Sequence, residues 1–153
     1  MDHLNTLFSA AQADAQAFTA LLELEHKALV ERDMAALETL LADKSPLVTA
    51  LAQHDRAIVA YCQQVGISPG ESLEQHLAST ASPALVHHYQ AFKQALQQCK
   101  TANERNARLI RHSQQATAQL LDLLRNQGES SQNMYDSQGL ASRGSAQRNL
   151  TKV

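Results

Sequence analysis

From Leu4 onward the chain repeats apolar residues three or four positions apart, the spacing at which side chains share one face of an α-helix. Leu4, Leu7, Phe8, Ala11, Ala15, Phe18, Leu21, Leu22, Glu25, Ala28 and Leu29 form one such stripe, which predicts a first helix over residues 3–31. Arg32-Asp33 then reads as a tight turn, with the Asp33 carboxylate placed to accept from the free N–H groups that open the next helix. The second stripe is Met34, Leu37, Leu40, Leu41, Leu47, Val48, Leu51, Ile58, Tyr61, Cys62 and Val65, and predicts a helix over 34–65. Pro46 lies inside it. A proline removes one backbone hydrogen bond and crowds the preceding turn, so the segment either kinks there or restarts with Ser45 as cap and Pro46 at the first position. One kinked helix matches the first in length, as an antiparallel hairpin requires.

Gly66 ends this helix. The connector 66–82 holds a short helix over 69–77, announced by the capping-box spacing of Ser68-Pro69-Gly70-Glu71, with Leu73 and Leu77 as its buried face. Ser82-Pro83 repeats the cap-and-proline start. The third long stripe follows: Leu85, Tyr89, Phe92, Leu96, Cys99, Ala102, Asn103, Asn106, Leu109, Ile110, Ala116, Leu120, Leu123 and Leu124, a helix over 83–126. At 1.5 Å per residue it is roughly 65 Å long against roughly 45 Å for each of the first two. The hairpin cannot cover all of it, and the leucines near residue 120 are the piece left over. Uncovered apolar stripe calls for a partner or a second copy of the chain. From Gly128 to Val153 periodicity fades into Ser, Gln, Asn and Gly, a polar tail read as flexible, with Met134-Tyr135, Leu140 and Leu150 as isolated anchors. The fold class is therefore all-α: an elongated antiparallel hairpin packed on a longer third helix, a three-helix coiled-coil-like bundle over 1–127, and a C-terminal tail over 128–153.

Composition sharpens this picture in a few places. Aromatic residues make up 4% of the chain and tryptophan is absent, so Leu, Ala, Val and Ile must build the core. The net charge of −2 does not suggest a nucleic-acid binder. Residues 1–65 hold nine acids and four bases, residues 66–127 four acids and six bases, an imbalance that favours packing of the first half on the third helix. No run of 18 apolar residues predicts a membrane span, and the opening Met1-Asp2-His3-Leu4-Asn5 lacks the positive charge and apolar block of a signal peptide. The expectation is a cytoplasmic protein. Cys62 and Cys99, far apart and without C-x-x-C spacing, read as reduced thiols at buried helix positions.

Candidate chemistry is sparse. His87-His88 are adjacent and diverge by about 100° on a helix. His3, His26, His54, His76 and His112 have no His or Cys one turn away. Glu23-x-x-His26 is the nearest approach to the Glu-x-x-His motif of di-iron bundles and occurs once. No phosphate loop or nucleophile elbow is present. We expect no catalytic residues, no metal and no cofactor. Asn103-Glu104-Arg105-Asn106 is a polar cluster interrupting an apolar stripe. It reads either as a device that sets helix register at some cost in stability or as a polar contact point for a partner.

Four segments, taken in order, resemble the FlgN family of flagellar type III export chaperones. Leu21-Leu22-Glu23-Leu24-Glu25-His26-Lys27-Ala28-Leu29 is similar to its LL-x-x-E-x-x-AL segment. Asp33 to Leu51 resembles a D-x-x-x-L-x-x-L-x-x-x-K-x-x-L-x-x-x-L run, with Leu37, Leu40, Lys44 and Leu51 in register. Asn103-Glu104-Arg105-Asn106-Ala107-Arg108-Leu109-Ile110 resembles N-x-x-N-G-x-L-I, with Ala107 where the family shows glycine. Tyr135-Asp136-Ser137-Gln138-Gly139 resembles a Y-D-x-x-G tail signature. The resemblance implies a protein that binds hook-associated proteins of the hook–filament junction, keeps them unassembled in the cytoplasm and delivers them to the flagellar export apparatus. It implies a client surface at Asn103, Asn106, Leu109, Ile110, Leu120, Leu123 and Leu124. It also implies an export-apparatus docking element at Met134, Tyr135, Asp136 and Gly139. The alternative is a self-associating coiled-coil protein, a homodimer through the helix-three stripe, with no secretion client.

Overall fold

A computed structural model describes the backbone of residues 2–67 and 71–139 and the side chains of residues 2–67 and 73–128. Four helices follow in order: α1 (Asp2–Glu31), α2 (Met34–Gln64), α3 (Glu71–Thr80) and α4 (Pro83–Gly139). Among the described residues there is no strand, and the fold is all-α as the periodicity predicts. No helix among them is long and apolar enough to cross a membrane.

The helix ends follow from local chemistry. Asp33 caps α2 by accepting from the Ala36 N–H at 3.0 Å. The preceding residue, Arg32, takes a left-handed conformation at φ 56°. It lets the Asp33 N–H reach the Ala28 carbonyl at 2.9 Å and its own N–H reach that of Leu29 at 3.4 Å, the pair of bonds that closes a Schellman ending. Gly66, at φ 74°, repeats the arrangement at the end of α2: Ile67 N–H donates to Cys62 and Gly66 N–H to Gln63. Ser82 opens α4, its hydroxyl accepting from the Leu85 N–H at 3.3 Å. The cap expected at Ser68-Pro69-Gly70-Glu71 lies outside the described residues.

α2 is continuous through Pro46. The hydrogen bond lost at the proline is outweighed by anchors on both sides: Leu40 and Lys44 before it, Leu47, Leu51 and His54 after it.

The chain divides into two compact units, Met1–Leu109 and Ile110–Val153. In the first, α1 is the centre. Its buried positions Leu4, Phe8, Ala11, Ala15, Phe18, Leu22, Glu25 and Ala28 lie along one face at the expected spacing. Glu25 pairs with Lys44 and Asp14 with His54, so α1 and α2 run antiparallel. Phe8 meets Tyr89 and Phe92, with ring centroids 5.3 and 6.2 Å apart, while Leu22 meets Asn106, so α1 and α4 run parallel. One apolar cluster joins Leu4, Phe8 and Ala11 to Cys62, Leu73, Leu77, Leu85, Tyr89 and Phe92. A second joins Phe18 and Leu22 to Cys99 and Ala102, with Leu47 and Leu51 packed on it. Leu73 and Leu77 are the buried face of α3, as their spacing implies. Both thiols are buried and unbridged, and burial pushes each pKa up.

Two expectations need correction. The α2 stripe is not all core: Leu40 and Cys62 alone are fully buried in this helix, while Met34, Leu41, Val48 and Val65 are exposed, because α2 rests on α1 along one flank only. The last helix does not end near Asn126 but continues to Gly139. A glycine inside a helix costs only about 1 kcal/mol, Gln and Glu are good helix formers, and Ser and Asn lower helicity without stopping it. In the second unit, residues 110–128 are exposed throughout.

Candidate partner-binding surface

Asn106 interrupts the apolar face of α4 inside the first unit, and it is 1% exposed. A buried amide is tolerated only where its donors and acceptors find partners. Its Nδ2 donates to the Leu22 carbonyl at 2.7 Å and to Glu25 Oε2 at 2.8 Å. Arg105 Nε donates to its Oδ1 at 3.3 Å. The other carboxylate oxygen of Glu25 accepts from Lys44 Nζ at 2.8 Å, and that ammonium stands 5.8 Å from the centre of the Phe18 ring. One residue from each of α1, α2 and α4 thus meets in a single polar network. Arg105 adds an outer pair with Glu23 at 3.2 Å.

Of the two readings of Asn103–Asn106, the geometry at Asn106 favours the register-setting one: its amide donors are engaged and the side chain is buried between α1 and α4. Asn103 is exposed. Leu109 is half-buried and Ile110 is exposed. Glu25, Lys44 and Asn106 each belong to a different one of the family-like segments, and sequence reasoning did not join them. The available signal was a carboxylate and an amide each interrupting an otherwise apolar stripe.

The second unit carries the clearest surface feature. Leu120, Leu121, Leu123 and Leu124 are 56–61% exposed, four leucines within five residues. Leu120 and Leu124, one turn apart, share a helix face. The residues expected to dock, Met134, Tyr135, Asp136 and Gly139, fall within the last turns of α4, and their side chains lie outside the described residues. Among the described residues no three His, Cys, Asp or Glu side chains gather in a way that could hold a metal ion. Glu23, half of the lone Glu-x-x-His spacing, is paired with Arg105.

Comparison with known proteins agrees with this architecture. No curated protein matches the chain. A crystal structure from Pseudomonas aeruginosa, of a protein described provisionally as a flagella synthesis protein FlgN, matches at 27% identity with a TM-score of 0.65, over 81% of this chain and 97% of that one. The FlgN protein family matches residues 1–143. The chain belongs to the FlgN family.

Proposed function

We propose that this protein is a cytoplasmic flagellar export chaperone. It binds hook-associated proteins, prevents their premature assembly and delivers them to the flagellar type III export apparatus, without enzymatic activity. Membership of the FlgN family supports a flagellar role. The observation that carries the binding role is the exposed leucine cluster Leu120–Leu124. Covering it with a client's amphipathic helix would contribute on the order of 1–2 kcal/mol per leucine before ordering costs, a sound basis for reversible capture. Ile110 is a further exposed apolar residue of the same unit. Met134, Tyr135, Asp136 and Gly139, beyond the leucines, are the proposed element for docking at the export apparatus.

The test is calorimetric titration of purified hook-associated proteins into the full-length chain and into a Leu120→Gln/Leu124→Gln variant. One-to-one binding, weakened at least tenfold in the variant at unchanged helicity, supports the reading. Equal binding by both proteins moves the client site away from the leucines, and no binding by either removes the chaperone reading. If the free chain sediments as a dimer that the variant dissociates, the leucines serve self-association instead.

A further inference from the structure

α2 and α4 both rest on α1, and between them the first unit is open. One hollow, of about 420 Å³, is lined by Leu51, Asp55, Ile58 and Val59 of α2 and by Tyr89, Phe92, Lys93 and Leu96 of α4, with Leu73 of α3 at its edge. A second, of about 490 Å³, shares Lys93 and Leu96 with it and continues along α4 past Lys100, with Phe18 of α1 in its lining. Together they form a groove at the place a fourth helix would take in a bundle.

α3 already occupies one end, and it shows what the groove accepts. Its leucines, Leu73 and Leu77, one turn apart, are buried among Cys62, Leu85, Tyr89 and Phe92. Its Glu74 carboxylate accepts from Lys93 at 2.8 Å and holds that ammonium's pKa above its usual value. α3 starts at Glu71, and the groove runs on. Two turns along α4 from Lys93, about 10.5 Å further, the same edge carries Lys100, which makes no ion pair among the described residues. On the opposite wall, Leu41 and Val48 repeat at seven-residue intervals from Asp55, which keeps them on its side of α2. Both are exposed.

We infer that this groove docks an amphipathic helix of a partner protein. That helix carries leucine-class residues one turn apart toward Leu51, Ile58 and Leu96, and carboxylates along the edge that meets Lys100, continuing the line that Glu74 of α3 begins at Lys93. A second copy of this chain fits less well through its Leu120 and Leu124, which share a face, since Asp122, two residues from each, stands about 200° round the helix from them. The groove is built from residues between 18 and 103 and shares none with the leucine cluster.

The test uses the full-length protein and two fluorescein-labelled synthetic helical peptides of three heptads. Both carry leucine at the first and fourth heptad positions; one has glutamate along one flank of the leucines and the other has lysine there. In anisotropy titrations at low salt the glutamate peptide binds at least tenfold more tightly than the lysine peptide. Lys100→Glu reverses this order. Leu96→Glu or Val59→Glu, each checked for unchanged helicity by circular dichroism, abolishes binding of both. Equal affinity for the two peptides, failure of both to bind, or indifference to Leu96→Glu and Val59→Glu overturns the inference. It is also overturned if the free chain is a dimer that Leu96→Glu separates, because the groove then belongs to a second copy.

Discussion

Replacing Asn106 by alanine removes two donors from a site that water cannot reach. The bond to Glu25 ends on a charged acceptor and contributes about 1.5–3 kcal/mol, and the bond to the Leu22 carbonyl about 1 kcal/mol. The space vacated by the amide adds up to about 1 kcal/mol. The sum is about 2.5–5 kcal/mol, a fall in Tm of roughly 5–20 °C for a chain of this size. Urea and thermal unfolding followed by circular dichroism measure it. A double-mutant cycle with Glu25→Ala assigns it, since residues in one network couple by about 0.5–3 kcal/mol and independent ones do not. The triple replacement Glu25→Leu/Lys44→Met/Asn106→Leu tests the origin of the loss: with all partners removed together, stability should return close to that of the parent. Partner affinity is the control, and it should change by less than about twofold in any variant still folded at the assay temperature. A loss below about 0.5 kcal/mol, or strict additivity with Glu25→Ala, would refute the network. Loss of partner binding in a folded variant would return Asn106 to the client surface.

Other predictions concern the helix ends, the thiols and the tail. Gly66→Ala places a Cβ in a left-handed conformation and should cost about 1–2 kcal/mol, whereas Arg32→Gly at the equivalent position of α1 should be neutral or stabilising by up to about 1 kcal/mol; chemical denaturation separates the two signs. Burial raises the Cys62 and Cys99 pKa from an ordinary value of 9.0, so the folded chain keeps thiol protons that the unfolded chain has lost. The stability this confers is complete below pH 9, declines above it and is gone beyond the folded-state values. Parallel unfolding of the parent and of Cys62→Ala/Cys99→Ala should show a steeper alkaline loss in the parent, and the parent thiols should resist a disulfide exchange reagent at pH 8 until denatured. Tyr135→Ala should leave helicity and client affinity unchanged and reduce export of hook-associated proteins; lower client affinity would break the proposed division between capture and docking.

The helices were legible because their cause is local. Asp33 caps because a short carboxylate reaches the N–H three residues on, and Leu4, Phe8, Ala11 and Ala15 are buried because 3.6 residues make a turn. What was not legible depends on the number of neighbours a helix has. The stripe of α2 contains Leu41 and Val48 as surely as Leu40 and Cys62, yet the first two are exposed, and no periodicity within α2 records that α4 stands off from it across a groove. The end of α4 was missed for a different reason: Gly128 is a weak breaker with open space around it, and composition reads as an ending what the backbone treats as a small penalty.

The network joins both lessons. A buried carboxylate on α1 is tolerable only if an ammonium and an amide arrive from two other helices, so Glu25 in an apolar stripe demanded partners without naming them. Lys44 and Asn106 meet that demand together, from 19 and 81 positions away. A one-residue slip of either helix would rotate its polar group by about 100° and leave Glu25 charged and unpaired. The penalty for wrong pairing is therefore larger than any stability gained by the right one. This explains why three polar residues from three family-like segments meet between the helices, while Leu41, Val48 and the leucines of 120–124 are left exposed.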